Sequence, residues 1–452
     1  MRILPFAIPA MMLLSGFASP QSQHDESITY NGAVSRIIND NCVVCHREGG
    51  IGPMQFESYE QVRPWAPLIQ QKVANREMPP YAYDLHIGIQ DLQGDWRLSQ
   101  QDINTLVTWV EQGAPLGDAD RELPAPTVPD LDEWNFSAKL GEPDLVVASV
   151  PIDIPADGND LWHDHLVSSG ITSDRCLKAV QVKPRGDAAT VVHHANSRLV
   201  ALNEDGELDP AIEGMLTEYA MGKWGELIPD GVCRIVPADA MVSWDIHMFP
   251  GGLGASAPGT VIENNVVELG LWFHPEGYED KVKYRQDLKS YEIGIPRAER
   301  TVQLVIPPHG QQMYQGFHSF DHPVRIDSFQ PHGHLRMVAA SLEIYYPDTG
   351  RTEPISQISN WSATWHHSHI YESNVAPLLP TGAVLVTKQW YDNTADNPNN
   401  PDPDQWVYGG DRTTDEMTHA WIAITHLDEE GYQQLQAERE QAAAAAGRSG
   451  SE

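Results

Sequence analysis

Basic residues are scarce in this 452-residue chain: 29 Lys and Arg stand against 63 Asp and Glu, for a net charge of −34. So little positive charge excludes nucleic acid and anionic membrane surfaces as partners, since both require basic patches. The excess acid serves solubility. Cysteine is scarcer still, with four residues, so cysteine chemistry reduces to two pairs. Beyond the N-terminus there is no apolar run long enough to span a bilayer, which takes about 20 residues. No internal repeat is found. No cysteine follows the first apolar stretch, which removes a lipid anchor there.

That first stretch reads as an export signal. Arg2 supplies a positive charge, residues 3–17 are apolar, and Gly16, Ala18 and Ser19 are small. Residues 1–18 are therefore expected to be a signal peptide, and the mature protein to be periplasmic or secreted with no membrane span. Outside the cytoplasm Cys176 and Cys233, the pair left over from the motif described below, are expected to form a disulfide.

The length allows about three domains of roughly 150 residues. Residues 28–117 have helical spacing. Ser99-Gln100-Gln101-Asp102 is a helix start with a hydroxyl cap and an acid three residues on. Ile103, Leu106, Val107 and Val110 then form one apolar face until Gly113 ends the helix. A polar, proline-rich linker is expected over 118–138. From about Leu145 to Thr425 the texture changes to short β-branched and aromatic runs between Pro, Gly, Asn and Asp turns, as in 242–248, 266–273, 339–346 and 383–390. Such spacing predicts antiparallel sandwiches, and the length calls for two, over 139–297 and 298–427. Residues 428–452 are expected to be a polar helical or disordered tail.

The sequence Cys42-Val43-Val44-Cys45-His46 is a haem-attachment motif, in which two thioethers hold haem c covalently and the histidine binds iron from one side. A bare CxxC also suits a redox disulfide or half a zinc site; the adjoining His46 favours haem. Met78, in Arg76-Glu77-Met78-Pro79-Pro80, is the preferred sixth ligand, with Met54 and His86 as competitors. Residues 28–117 resemble the class I cytochromes c, and Met78 matches their distal methionine. The implied fold is a small all-α cytochrome c domain ahead of the two sandwiches.

Farther on, His332-Gly333-His334 places two imidazoles on one strand face, about 7 Å apart at the backbone. With Met417 as third ligand the set favours copper and leaves a coordination position open. His193-His194 is harder, because strand neighbours point to opposite faces, so joint ligation needs a twist, a bulge or a strand end. His247 completes a three-histidine set, with His274 as a rival. His163 and His165 form a further pair. The run His366-His367-Ser368-His369 can line a cleft, bind another metal or sit in a wet loop, and the loop is favoured. Asp164, Asp245 and Asp321 lie beside histidines as candidate supporting partners, although a solvated acid is the commoner case.

Residues 145–426 resemble the copper type II, ascorbate-dependent monooxygenases, the family of the peptidylglycine α-hydroxylating and dopamine β-monooxygenases. Val191-Val192-His193-His194, Trp244-Asp245-Ile246-His247, Gln330-Pro331-His332-Gly333-His334-Leu335 and Asp415-Glu416-Met417 match its ligand segments in order. Residues 391–398 are similar to a turn of bacterial members. The resemblance implies two antiparallel β jelly-roll sandwiches, one copper on each, facing across a solvent-filled cleft. His193, His194 and His247 would hold an electron-storing copper. His332, His334 and Met417 would hold the copper that binds dioxygen, and His274 falls outside the set. The implied activity is hydroxylation of a C–H bond of a small-molecule or peptide substrate, with electrons from an external donor passing through the haem. No counterpart of the residues that anchor a peptide carboxylate or a catechol is found, and the haem puts ascorbate in doubt. The alternatives are a non-catalytic electron carrier with a copper-binding platform and a copper storage or sensing protein.

Overall fold

The computed structural model describes residues 28–48, 52, 54–121, 123–124, 133–155, 161–202, 208–220, 225–248, 261–292, 304–363, 365–410 and 412–449. The expected signal peptide and the boundary near residue 297 lie outside the described residues, as does part of the expected linker.

The expectation of an all-α cytochrome domain is corrected. Among the described residues 40% are strand and 19% helix, the helices of the N-terminal region are short, and no N-terminal all-α cytochrome domain is evident there. Over 28–117 the α-helices are Ser35–Asn41, Tyr59–Val62, Ala66–Ala74 and Gln100–Glu111. They pack on Val34, Ile38, Leu106 and Trp109, but the chain between the last two leaves that cluster. Tyr81, Tyr83 and Leu92 instead bury in the core of the C-terminal β region with Phe329, Ile355 and Tyr371. The strand Leu92–Gln93 pairs antiparallel with His369–Tyr371. The cause is local. Pro79 and Pro80 withhold two backbone donors and favour extended chain, and Tyr81 and Tyr83 then repeat with the period of a strand. The sandwich part of the expectation is compatible with the structure.

The start of the Gln100–Glu111 helix behaves as its sequence demands. Ser99 Oγ accepts from the Asp102 amide at 3.0 Å, and Gly113 closes the far end at φ +87°. Its buried face is Ile103, Leu106 and Trp109, with Val107 and Val110 packed beside it.

Among the described residues two large apolar cores fill most of the β region, with smaller clusters at Met215, Leu288, Trp421 and Ala423 and at Trp134, Ala179 and Trp272. One gathers residues from Val147 to Leu271, among them Leu177, Trp244 and Leu269. The other gathers Leu304 to Ile424 together with the three N-terminal side chains above. Fully burying each such side chain contributes about 1.5–3 kcal/mol. The halves share one sheet. Met241–Met248 pairs with Val192–Leu202, that with Leu208–Ala220, then Tyr284–Glu292, His419–His426 and Val324–His332. Leu208–Ala220 and Tyr284–Glu292 join at a single register pair, Met215 with Leu288. A buried polar seam crosses this joint. Arg234 holds Glu226 at 2.8 Å and Gln286 at 3.0 Å, Gln286 donates to Asp327, and Arg325 donates to Asp327 at 2.6 Å.

The Cys176–Cys233 disulfide is formed, across a sequence separation of 57. It ties Arg175–Pro184 to Val232–Val236, which also pair as strands. No helix among the described residues is long and apolar enough to cross a membrane.

Candidate metal centre

His194 and His247 face each other across paired strands, with ring centres 4.9 Å apart. Trp162, from the neighbouring strand, stacks on His247 at 4.1 Å. The register then steps from His247↔His194 to Met248↔Val192, so His193 is the residue a β-bulge absorbs. A bulge is one of the ways adjacent histidines can serve one centre. The His193 side chain itself lies outside the described residues.

His332 ends its strand opposite His419, the first residue of the adjacent strand, and the two rings stack at 4.5 Å. The His334 ring lies 5.7 Å from His332, and its Nδ1 is 3.3 Å from the Asp415 carbonyl. A side chain at residue 333 would collide with Met337, so this turn requires glycine. Met417 is half-buried in the segment that closes over the turn.

One buried carboxylate fixes that closure. Glu416 accepts the amides of His334, of Arg336 at 2.9 Å and of Met417 at 3.0 Å. Burial pushes its pKa up to about 7, against the pull of those three N–H groups. Gln389 Nε2 donates to the His332 carbonyl at 2.9 Å and the His419 carbonyl at 3.0 Å. Tyr391 donates to the Met417 carbonyl at 2.7 Å. The segments carrying His332, His334, Met417 and His419 are thus held together by the side chains of Glu416, Gln389 and Tyr391.

The two histidine sets do not face each other across open space. The His194 ring lies 5.9 Å from His332 and 6.2 Å from His366, and His366 is 4.8 Å from His332. Glu218, His332 and His366 offer donor atoms within 4.8 Å of one another, all buried, an arrangement that can hold a metal ion. Gln330 donates to Glu218, whose other oxygen is 3.8 Å from His194 Nδ1. Four strand steps of about 4.8 Å would separate His194 from His332 by roughly 19 Å on a flat sheet. Their contact therefore requires the sheet to curl back on itself between these strands.

Burial, and then the neighbouring His419, His366, His334 and His194, hold the His332 pKa well below the usual histidine value. A neutral imidazole has a lone pair to give, and His332 Nδ1 is buried with no hydrogen-bond partner. That is the state a metal ligand must be in.

Cys42 and Cys45 are not bridged. His46 Nδ1 lies 3.0 Å from the Met54 carbonyl, and its ring stacks on Phe56 at 4.4 Å. That contact puts the ring proton on Nδ1 and leaves Nε2 as the electron-pair donor. Met78 is half-buried just after the Ala66–Ala74 helix. Met54 packs on the helical cluster, and His86 is exposed.

The remaining histidines separate clearly. His274 stacks on Tyr278 at 3.8 Å, apart from the cluster. His163 and His165 pair on the Leu161–Ser168 strand. The favoured wet loop for 366–369 is corrected: His366, His367 and His369 are 3%, 4% and 2% exposed. Asp245 accepts from Asn196 at 3.1 Å, and Asp321 is an exposed partner of His322. Glu218 and His419 carried no signal in the sequence that marked them as site residues. The run of histidines did signal His366, and Glu416 sits inside the quoted Asp415-Glu416-Met417 segment.

No family model and no curated protein matches the chain. Among solved structures, it is similar to the major capsid protein P2 from bacteriophage PM2 at 8% identity and TM-score 0.23, covering 62% of this chain and 96% of that one. An allantoicase matches at 9% identity and TM-score 0.15, over 52% of this chain and 79% of its own. The VP2 subviral particle of infectious bursal disease virus matches at 10% and 0.17, over 63% and 72%. Likeness this low carries no argument about fold or function.

Proposed function

We propose that the chain is an exported copper-dependent monooxygenase that hydroxylates a C–H bond with dioxygen, taking its electrons through a haem c on Cys42, Cys45 and His46. The observation that carries this reading is the gathering of His194, His247, His332, His334 and His366 into one buried group beside Glu218. Copper there supplies one-electron chemistry with dioxygen, and haem c supplies the reducing electrons.

The protein's part is preparation. Burial keeps His332 neutral, so no proton has to leave before it can ligate. Glu416 binds the backbone amides of His334 and Met417 through one oxygen and so ties the two segments together. Tyr391 and Gln389 hold the carbonyls of Met417, His332 and His419, so these segments move together or not at all. At the other centre the Met54 carbonyl orients His46, and Phe56 stops its ring from turning. Two exported features support the setting: the disulfide and the apolar leader of the sequence.

Stopped-flow mixing tests it. Haem-reduced protein given Cu(II) without oxygen should reoxidise its haem as copper is reduced, and an unchanged haem spectrum removes the haem from this role. Met417→Ala should abolish oxygen-dependent turnover while leaving haem reduction intact. If the variant consumes oxygen at the wild-type rate, the oxygenase reading fails.

A further inference from the structure

Behind the His332 cluster lies a second histidine group. His367 and His369, spaced like two residues on one strand face, project into a box of Tyr81, Tyr83, Trp96 and Trp365. The His367 ring lies 5.4 Å from Tyr81, 5.3 Å from Trp96 and 6.1 Å from Trp365. The His369 ring lies 5.2 Å from Tyr81 and 4.8 Å from Tyr83. Both imidazoles are buried, as is Tyr81 at 7% exposure.

Their polar atoms are what an apolar box does not explain. Both ring nitrogens of His367, Nδ1 of His369 and the Tyr81 hydroxyl are buried with no hydrogen-bond partner. Leaving one such group unsatisfied costs about 1–3 kcal/mol, and a shared cation would take up one lone-pair nitrogen from each imidazole. The ring centres of His367 and His369 are 6.4 Å apart. Two imidazoles bound end-on to one ion at about 2.0 Å, in line, would have centres roughly 6 Å apart.

We propose that His367 and His369 form a second, buried metal site that takes a monovalent soft ion, Cu(I), in two-coordinate fashion, with the Tyr81 hydroxyl at its edge. Charge selects the ion. The donors are neutral, and Arg97 places its guanidinium 5.6 Å from the Tyr81 ring and 5.3 Å from the Tyr83 ring. Burying a divalent charge among neutral donors beside a cation costs far more than burying a single charge. Imidazole donors are well suited to copper. The bound ion would clip the N-terminal segment carrying Tyr81, Tyr83 and Trp96 onto the strand His369–Tyr371, which already pairs with Leu92–Gln93. This site does not depend on the chemistry proposed at His332.

The test is copper counting on the full-length, metal-free protein, titrated anaerobically with Cu(I) against a chromophoric competitor. The double variant His367→Asn, His369→Asn should bind one equivalent fewer than wild type with an unchanged circular dichroism spectrum. An equal count overturns the proposal. A second measurement needs no variant: crystals of the Cu(I)-loaded wild type, with an anomalous difference map at the copper edge. A peak between the two imidazoles upholds the site. A map without one overturns it, whatever the His332 cluster holds.

Discussion

His194 and His332, carried by strands from opposite halves of the β region, lie with their ring centres 5.9 Å apart and their planes nearly perpendicular, at 84°. Metal ions held on either side of that contact would be close enough for their unpaired spins to couple. Protein loaded with two Cu(II) should therefore give an EPR signal that integrates to clearly less than its total copper. Chelation and reloading with a single equivalent should restore full intensity. Spin counts equal to total copper at both loadings would mean that the two histidine sets stand apart in the metal-bound protein.

Glu416 is a second point of leverage, because its two oxygens serve three amide donors. An ionised carboxylate only accepts hydrogen bonds, whereas glutamine brings two N–H donors of its own. In Glu416→Gln either Arg336 or the pair His334 and Met417 must face a donor. A buried mismatch of this kind costs about 1–3 kcal/mol. The variant should melt several degrees below wild type and bind copper more weakly, by roughly 10–100-fold. Calorimetry and competitive copper titration check both. Wild-type melting with wild-type affinity would show that Glu416 does not hold the ligand segments.

These two relationships were unequally legible in the sequence. The helix from Gln100 could be read from Ser99, Asp102 and Gly113, because a cap and a stop act over three or four residues. The strand of His247 could be read from its β-branched run, whereas the strand of His332 was expected to run on through His334 and ends at His332 instead. That joint ligation by His193 and His194 needs a twist, a bulge or a strand end followed from strand geometry, and the register step at His193 selects the bulge. What the sequence did not carry was long-range. Nothing near Tyr81 announces that it buries against His367 and His369, far along the chain. Helical spacing on either side made residues 28–117 look like one all-α unit. The contact between His194 and His332 depends on how a sheet curls over four strand steps, which no local pattern encodes.

Gly52 tests the haem motif without touching its ligands. A Cβ there would lie 2.5 Å from His46 Nδ1 and 2.9 Å from the Cys45 carbonyl. The ring cannot yield freely, since it stacks on Phe56 and is tied to the Met54 carbonyl. Gly52→Ala should therefore turn His46 away from the position in which it would bind the proposed haem. Covalent haem per polypeptide, measured by the pyridine haemochrome spectrum, should fall several-fold, while the disulfide-bonded β region keeps its circular dichroism. Haem content equal to wild type would show that the ring has room the structure does not give it.

Asp287 contributes to the acid limb of stability. Its carboxylate lies 3.0 Å from His426 Nε2 and 3.1 Å from Lys289 Nζ. His426 in turn meets His322 at 2.7 Å, and His322 meets Asp321 at 2.5 Å. The bond from His426, and then Lys289, hold the Asp287 pKa down to about 2 from its usual 3.8. A carboxylate whose pKa is lowered by folding stabilises the native state above the unfolded value, and that stability is lost as the pH falls through the folded one. Asp287 is 43% exposed, so solvent screening limits the effect to about 1 kcal/mol. Asp287→Asn should thus melt below wild type at pH 5, and the gap should close as the pH falls toward 2. A gap that stays constant across that range would mean that the Asp287 charge is not what stabilises this corner. The strands Tyr284–Glu292 and His419–His426 would then be held there by their backbone ladder alone.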